Sequence, residues 1–479
     1  MIVPLLALFA IGVDGPPLRI DSNRVLMVDD AFVGSRKNVE LRLHAPVPRE
    51  VVFRLDAPWE GPESGYVTLL RDGPLYRMYY RGGGDHSRES TCLAESDDGI
   101  VWKRPVLGLV EFQGSRANNI IWTGQRKGYD GSHNFTPFLD TNPAATADER
   151  YKAVTLMKVG EKEERRNALI ALASADGVHW RRPFEAPIIT QGSFDSQNTV
   201  FWDDEKKLYV CHLRAPREGK RSIARTTSSD FRHWSESRLI DTGDAPNEHF
   251  YTNAIVSYGR SRGLYLGFPM RFVPPTERGH VGRDRKTTDG LSDAVFMASR
   301  DGLHWQRHFL EAFIRPGLDP NNWGGAHGNN TPAWGLLQTG PAELSLYWTE
   351  HYSNDIREPT TPQLRRGTIR LDGFASIRAP YRGGEWTTKP LVFQGNSLRL
   401  NLSTSAVGSM AVEVRDESGE VVPGFQADDC DTIWGDELER EVTWGGRADV
   451  GALTGKPVRL RFVMRDTDLF SFQFVESNR

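Results

Sequence analysis

A seven-residue pattern, Ser-x-Asp-Gly-x-x-Trp, recurs along the chain and constrains its fold more than any other feature. It occupies residues 96–102, 174–180 and 299–305, a degraded copy spans 229–234, and residues 371–374 keep only the Asp-Gly. Self-similarity at a long period is typical of repeat architectures. In each copy Asp-Gly supplies the positive φ of a hairpin turn, and the Trp after it can cover an apolar face between stacked sheets. The pattern therefore predicts five small sheets.

Strand patterns around each hairpin define the repeating unit. An apolar strand opened by small polar residues comes first, a turn and a second strand follow, and the third and fourth strands flank the Asp-Gly turn. Four strands per unit and five units predict a five-bladed β-propeller. An irregular β-sandwich with chance turn similarity is the alternative. The first strands of the five units are marked by Tyr66, Thr136, Thr199, Ala254 and Thr331.

The chain is long enough for two domains. Its 479 residues include 46 Gly, 28 Pro and 13 Trp, a composition that favours an all-β protein. We predict the propeller over residues 22–380, with the strand at 24–28 completing the last blade so that no sheet edge is left open. Over residues 385–479 the pattern changes to two-residue alternation, as in 458–464, which predicts a small antiparallel β-sandwich.

Charge and composition limit the partners. The formal net charge is −4, with acidic and basic residues interspersed, so we expect neither a nucleic-acid nor a membrane partner. Within a lead-in at residues 1–21, the apolar stretch 1–13 is similar to a signal peptide without its basic region, which favours a secreted or periplasmic protein over a buried first strand. Cys92, Cys211 and Cys430 lack metal spacing and are expected to be buried. Nothing in the sequence specifies an oligomeric state.

Residues directly before the first strands are expected to share one pocket, because the innermost strands of a propeller converge on its axis. Carboxylates stand near these entrances, together with amides, imidazoles, aromatic rings and arginines. The carboxylates that we predict to be catalytic are Glu63, Asp130, Asp195 and Glu248. The residues that we predict to bind substrate are His133, Asn134, Gln197, Asn198, His249, Tyr251, Asn253, His327, Asn329, Asn330, Arg81, Arg214 and Arg271.

This mixture of side chains is suited to a sugar, because carboxylates and amides bind vicinal hydroxyls and aromatic faces stack on sugar rings. Paired carboxylates are also what glycosidic hydrolysis requires, one as proton donor and the other as nucleophile or base. We predict Glu248 as the general acid, because Phe250 and Tyr251 beside it would raise its pKa by desolvation. Asp195 or Asp130 would be nucleophile or base, and Glu63 would complete the set. A strand-capping role is the alternative for any single carboxylate.

At these residues the chain resembles the five-bladed glycoside hydrolase superfamily of invertases, levanases, arabinanases and β-xylosidases, families 32 and 43. The resemblance rests on the five units, their hairpins and the appended C-terminal domain, and it implies hydrolysis of a poly- or oligosaccharide. In that superfamily the first blade supplies an Asp, and the position here is closest to Glu63, with Asp29 or Asp30 as rivals. The invertase-type segments Asn-Asp-Pro-Asn-Gly, Arg-Asp-Pro and Glu-Cys-Pro are absent, so no particular sugar is implied.

Two other functions are compatible with the same residues. A non-catalytic glycan-binding propeller would use the carboxylates only as hydrogen-bond acceptors. A sialidase-type exoglycosidase would use an arginine triad, for which Arg81, Arg214 and Arg271 are available, but sialidases have six blades and an extra residue between Asp and Gly of the hairpin. We expect no cofactor; clusters of Asp and Asn suit a structural calcium ion, but the sequence contains no calcium-loop motif.

Overall fold

The computed structural model describes residues 15–85, 88–123, 130–160, 166–277, 290–323, 329–352 and 360–477. Strands and a few 3-10 turns make up its secondary structure, which confirms the predicted all-β class. No helix in these ranges is long and apolar enough to cross a membrane. The 3-10 turns span Ala147–Glu149, Pro275–Glu277, Pro320–Trp323 and Gly451–Leu453.

The chain divides into two compact units. We call His44–Leu371 the repeat unit. The chain up to Leu43 and from Asp372 onward together forms the terminal unit. The first four strands belong to the terminal unit and are β1 (Leu18–Asp21), β2 (Val25–Leu26), β3 (Val33–Lys37) and β4 (Glu40–Leu43).

Among the described residues, the antiparallel strands of the repeat unit pair into six sheets, which we describe as five successive groups because two of the sheets alternate along the chain in the fourth group. In groups one to three, each strand pairs with the next one along the chain. After β5 (Val47–Arg54), group one contains β6 (Gly65–Asp72), β7 (Leu75–Asp85), β8 (Arg88–Ser96) and β9 (Ile120–Thr123). Group two contains β10 (Asp130–Leu139), β11 (Tyr151–Val159) and β12 (Arg166–Ser174), and group three contains β13 (Thr199–Asp203), β14 (Leu208–Arg217), β15 (Lys220–Ser228) and β16 (Arg238–Leu239).

Group four is split into two sheets. The chain passes from one sheet to the other at Pro269, which has no backbone N–H to contribute to a ladder, and at Ala254, whose φ is 41°. Its strands are β17 (His249–Phe250), β18 (Ile255–Ser257), β19 (Tyr265–Gly267), β20 (Met270–Val273), β21 (Leu291–Ala294), β22 (Met297–Ser299) and β23 (Trp305–Gln306). Group five contains β24 (Thr331–Pro332), β25 (Leu337–Gly340), β26 (Glu343–Glu350) and β27 (Gln363–Arg370).

The groups close into a ring. The first strands of groups one to four contact each other in chain order. Group four then contacts group five through β21, which meets β24. Group five returns to group one, where the backbone of Trp334 exchanges hydrogen bonds with Val67 and Leu69, each 2.8 Å long. In addition, β5 pairs with β27 from Val47↔Thr368 to Arg54↔Gln363. A strand from the beginning of the unit therefore completes its last sheet and covers an edge.

The strand that closes the ring is not the one we predicted. Residues 24–28 were expected to complete the last blade, but β2 within this stretch pairs with Phe472 and Ser471 of the terminal unit. Val25 and Met27 are 1% and 2% exposed in the core of that unit. The predicted boundaries at 22 and 380 accordingly fall within the terminal unit, and the repeat unit spans His44–Leu371. An apolar pattern predicts that a strand is buried, but not which sheet it joins.

Pairing joins the ten strands of the terminal unit into one sheet, so hydrogen bonding does not separate the two sheets of the predicted β-sandwich. The predicted alternation is confirmed over residues 458–464, where every second side chain is buried. All pairs are antiparallel except β1 with β30. The later strands are β28 (Ala375–Ala379), β29 (Gly384–Thr388), β30 (Leu391–Phe393), β31 (Ser397–Asp416), β32 (Asp436–Glu441) and β33 (Val458–Val475).

The repeated hairpins share one hydrogen-bond pattern. In the copy at 174–180, the Asp176 carboxylate accepts from the backbone N–H of Val178 and His179 at 2.9 and 2.8 Å. Gly177 has φ of 75°, as the predicted turn requires. In the degraded copy Phe231 takes this position with φ of 64°, and Ser228 rather than Ser229 holds the serine place, with its hydroxyl 3.0 Å from Asp230.

The hairpin tryptophans were expected to be mostly buried rather than exposed. Trp102 and Trp305 are buried, at 8% and 2% exposure, but Trp180 and Trp234 are only half-buried. Each indole N–H donates to the carbonyl of the residue three positions before it, at 3.1–3.2 Å. The rings are therefore fixed by their own turns, while the depth of burial differs between groups.

Candidate functional site

Arg81 lies at the centre of the candidate site, which is built within the repeat unit. It is on β7, and its guanidinium donates to the Glu63 carbonyl at 2.7 Å and to the Tyr352 hydroxyl at 3.0 Å. The same guanidinium lies 4.4 Å from the centre of the Tyr66 ring and 3.3 Å from Asn134 Oδ1. Burial alone would lower the pKa of Arg81, but the surrounding phenols and carboxylates raise it, so Arg81 is a permanent positive charge.

Strained backbone marks the strand entrances around Arg81. Tyr66, Asn134, Ala254 and Asn330 stand at or near the start of the first strands of four groups, and their φ values are 52°, 54°, 41° and 57°. The ladders of β6 and β10 also shift register there. Left-handed conformations of residues other than glycine are costly and concentrate at functional sites, where the fold enforces them. The strain turns the first residues of these strands out of the regular pleat.

His133 joins two carboxylates across this centre. Its Nε2 lies 2.8 Å from Asp195 Oδ1, and its Nδ1 lies 2.7 Å from Glu89 Oε2. Because a carboxylate faces each ring nitrogen, both nitrogens act as donors, which is the imidazolium form. Burial lowers the pKa of His133, but the hydrogen bonds to Asp195 and Glu89 outweigh it and raise the pKa above its ordinary value.

Of the two carboxylates that His133 contacts, Asp195 is the more exposed to solvent. Its side chain is 41% exposed, whereas that of Glu89 is 20% exposed. The hydrogen bond from His133, with further contributions from the charges of His133, Arg214 and Arg81, lowers the pKa of Asp195 to about 2. Burial opposes the ionisation of Glu89, but His133 and Arg81 lower its pKa as well. Asp195 is therefore an ionised, accessible group that suits a base or nucleophile.

Glu63 stands beside the same arginine. It precedes β6, is partly exposed, and its charge acts on both Arg81 and Tyr352. Within the described ranges its carboxylate makes no hydrogen bond or ion pair, in contrast to Asp195. The structure thus brings two of the four predicted catalytic carboxylates, Glu63 and Asp195, to one buried cation. The side chain of Asp130, a third, lies outside the described residues.

Glu248 occupies a different environment from the one we predicted. Its Oε1 lies 2.9 Å from Arg271 Nη1, and its Oε2 lies 2.7 Å from Arg307 Nη2. Arg271 also pairs with Asp293 at 2.6 Å, and the Arg307 side chain is fully buried. Desolvation by Phe250 and Tyr251 was expected to favour the protonated acid. Two guanidinium groups instead pair with its two carboxyl oxygens.

Almost all of the amide side chains that we predicted to bind substrate form hydrogen bonds within the protein instead. Asn253 Nδ2 donates to the carbonyls of Gln197 and His212 at 3.0 and 3.2 Å, and Gln197 Nε2 donates to the Val67 carbonyl at 3.1 Å. These amides tie groups one, three and four together, which is a structural role that sequence reasoning missed. The predicted residues that are at most 2% exposed are Asn134, Gln197, Asn198, Asn253, Asn329 and Asn330. His327 lies outside the described residues.

Tyr251 and His249 lie at the side of the site formed by groups three and four. Two arginines of the β14–β15 hairpin, Arg214 and Arg221, have guanidinium carbons 5.3 and 5.2 Å from the centre of the Tyr251 ring. The Nδ1 atom of His249 accepts a hydrogen bond from the backbone N–H of Arg221 at 3.2 Å. Burial is the largest cause that lowers the pKa of His249, so this ring is neutral.

Several residues of the site were not predicted. Glu89 and Arg221 lie on later strands of their groups, where no entrance pattern draws attention to them, and Tyr352 follows β26. Tyr66 was used only as a strand marker. The hydrogen bond from Arg81 to the Glu63 carbonyl follows from strand pairing, because the ladder places Gly65, two residues after Glu63, opposite Arg81. The contact of His133 with Glu89 joins two different groups, and no local pattern contains it.

No protein-family model and no curated protein matches the chain. Among solved structures, one described as a glycoside hydrolase is 14% identical, with 71% of this chain and 95% of that chain covered and a TM-score of 0.45. An N-acetylgalactosamine deacetylase from F. plautii, in complex with blood group B trisaccharide, is 12% identical over 69% and 96% of the two chains, with a TM-score of 0.47. A fructofuranosidase from Schwanniomyces occidentalis, complexed with fructosylnystose, is 9% identical over 97% and 100%, with a TM-score of 0.41. Values this low assign no reaction to this chain.

Proposed function

We propose that the protein is a glycoside hydrolase that acts on a poly- or oligosaccharide in the site around Arg81. The observation that carries this proposal is Asp195, an accessible carboxylate whose pKa of about 2 is set by His133 and which shares Arg81 with a second carboxylate, Glu63. An ionised carboxylate and a separate proton donor are the two groups that cleavage of a glycosidic bond needs.

Asp195 is the nucleophile or general base in this proposal. Its Oδ1 is occupied by His133 at 2.8 Å, and its Oδ2 is 3.6 Å from Arg214, longer than a hydrogen bond. We assign the role of proton donor to Glu63, because its carboxyl group makes no hydrogen bond or ion pair within the described ranges and is available to a substrate oxygen. Tyr66 and Tyr251 are buried and lie against the guanidinium groups of Arg81 and Arg214, which they hold at the site. Arg81 orients the strand entrance through the Glu63 carbonyl.

A substrate panel with two variants tests this assignment. Nitrophenyl furanosides and pyranosides and plant and algal polysaccharides identify a substrate that the parent protein cleaves. Asp195→Asn and Glu63→Gln should then each lower kcat by at least ~10²-fold with the unfolding temperature retained. Asp244→Asn and Glu236→Gln, which change exposed carboxylates elsewhere in the repeat unit, are the matched controls. Full turnover by Asp195→Asn would overturn the proposal.

The role of Glu248 is settled by the same assay. If Glu248 is the general acid, as the sequence predicts, Glu248→Gln lowers kcat by at least ~10²-fold while the unfolding temperature is unchanged. If its ion pairs with Arg271 and Arg307 are structural, the variant unfolds at a lower temperature and its remaining folded fraction turns over normally. The second outcome is the one that its contacts favour.

A non-catalytic glycan-binding protein is the second candidate, because ion pairs with His133, Arg271 and Arg307 already occupy several carboxylates of the site. Binding of a glycan without release of a product over the whole panel would favour it. A sialidase-type activity is less well supported, since the repeat unit has five strand groups and Arg271 pairs with Glu248 and Asp293 rather than standing beside Arg81.

A further inference from the structure

Among the described residues, two arginines on one face of the β14–β15 hairpin share one carboxylate, Asp195, which is 3.6 Å from Arg214. Pro216 pairs with Arg221 and Arg214 pairs with Ile223, so Arg214 and Arg221 are diagonal neighbours on the same face. Like charges at such positions repel each other. Folding alone therefore gives no reason to place both guanidinium groups here.

Among the described residues, the acidic groups near the hairpin already have partners, including Glu218 in its turn, whose Oε2 accepts a hydrogen bond from Asn247 at 3.2 Å. Glu277 pairs with Lys220 at 3.0 Å, and Asp195 is hydrogen-bonded to His133. Asp195 approaches Arg214 only to 3.6 Å. In the part of the chain that the structure describes, Arg221 has no ion pair with any carboxylate. The hairpin therefore presents more positive charge than its surroundings neutralise.

Aromatic rings hold the two arginines in place. Both guanidinium groups lie against Tyr251, and that of Arg221 is also 5.7 Å from the centre of the Phe272 ring. Tyr251 and Phe272 form one buried cluster with Tyr66, on which Arg81 lies. Stacking on a ring face orients a planar guanidinium and leaves its N–H groups free at the edge. A continuous layer of rings thus joins the arginine pair to the proposed catalytic centre.

We propose that Arg214 and Arg221 form a subsite for a carboxylate of the glycan, so that the substrate contains a hexuronate residue. This inference rests on the proposed carbohydrate substrate and names its class. A planar carboxylate matches the fork of a guanidinium group with two parallel hydrogen bonds. Arg214 of this subsite is 3.6 Å from Asp195, so a uronate held there is adjacent to the reacting bond. The neutral ring of His249 adds no charge to this subsite.

Binding measurements with matched glycans test the subsite. Oligosaccharides of galacturonate, glucuronate and mannuronate are compared by calorimetry with their carboxyl-reduced neutral counterparts, using the full chain. We expect at least one acidic oligosaccharide to bind at least tenfold more tightly than its neutral counterpart. Arg221→Met keeps the side-chain stem against Tyr251 and Phe272 and should remove this preference by lowering the affinity for the acidic oligosaccharide much more than that for its neutral counterpart. Arg238→Met, on the exposed strand β16 of the same sheet, is the control and should retain the preference.

The outcomes separate this inference from the proposed function. An acidic oligosaccharide that binds with the expected preference but is not cleaved supports the subsite and contradicts hydrolysis. A neutral oligosaccharide that is cleaved as well as its acidic counterpart supports hydrolysis and overturns the subsite. Equal loss of acidic and neutral binding in Arg221→Met also overturns it, as does a preference for sulfated over carboxylated glycans that Arg221→Met leaves intact.

Discussion

At the scale of single residues, His133 controls the charge of the proposed catalytic carboxylate. The imidazolium bridges Glu89 and Asp195, and it is the largest cause of the low pKa of Asp195. It acts through Asp195 and is a positioning residue. Charge-assisted hydrogen bonds of this kind are shorter and stronger than neutral ones.

Replacing His133 should therefore change the pH dependence as well as the rate. In His133→Gln we expect the pKa of Asp195 to rise from about 2 toward its ordinary 3.8, so that the acidic limb of the kcat/KM profile moves to higher pH. A pH–rate series on a cleaved substrate measures this shift, with His179→Gln, an exposed hairpin histidine, as control. A lower rate with an unchanged acidic limb would show that His133 does not set the charge of Asp195.

The same pKa has a consequence for stability. The folded-state pKa of Asp195 lies below the unfolded value of 3.8, so its ionised form stabilises the folded state above that pH. The stabilisation is lost as the pH falls from 3.8 through about 2. His133→Gln should remove it, so the parent and variant unfolding temperatures converge in acid.

At the scale of elements, the repeated hairpins differ in how much their tryptophans contribute. Trp305 is 2% exposed and packs against His212 with ring centres 6.2 Å apart, whereas Trp180 is half-buried. A fully buried Trp→Ala change costs about 3–5 kcal/mol through the cavity that it leaves. The two hairpins share one sequence pattern, but their tryptophans are buried to different depths.

We expect Trp305→Ala to lower the free energy of unfolding by about 3–5 kcal/mol and Trp180→Ala to lower it by less, because part of that ring is already in water. Chemical denaturation of the two variants gives both values. Trp434→Ala is the control, since Trp434 is 67% exposed and its loss should change stability by no more than about 0.5 kcal/mol. Equal losses at Trp180 and Trp305 would contradict the difference in burial.

At the scale of the whole molecule, the hydrophobic clusters of the two units contain strands that do not follow chain order. Phe53 on β5 belongs to the core of the repeat unit at 6% exposure, and Met27 belongs to that of the terminal unit at 2%. Only 26 residues separate them in sequence. Strand pairing decides which unit's core contains Phe53 and which contains Met27.

Two substitutions test whether residues 24–28 belong to the terminal unit, as in the structure, or complete the last blade, as the sequence predicted. Phe53→Ala should raise amide hydrogen exchange in β26 and β27, and Met27→Ala should raise it in β31 and β33, each with a loss of about 2–5 kcal/mol in the affected core. Hydrogen-exchange mass spectrometry resolves the two responses, with Val407→Ala, an exposed change, as control. If Met27→Ala loosened β26 and β27 instead, the strand 24–28 would complete the last blade after all.

Repetition and alternation in the sequence were sufficient to predict the all-β class, the succession of strand groups and the turns at Gly99, Gly177 and Gly302. These features depend on neighbours a few residues apart, which the sequence contains. The expectation that residues at the starts of the first strands share one pocket also placed Asp195, Glu63 and His133 near one another. Their proximity was predictable because first strands converge on the axis of the ring.

Only the tertiary structure decided what each of those groups does. Glu248 and Asp195 look alike in sequence, yet two guanidinium groups hold the first and an imidazolium holds the second. The amides of Gln197 and Asn253 satisfy backbone groups of other strands instead of facing a ligand. The pairing of β2 with β33 likewise joins residues more than 400 positions apart. Charge, burial and pairing partners depend on groups that are distant in the chain, and local patterns carry no record of them.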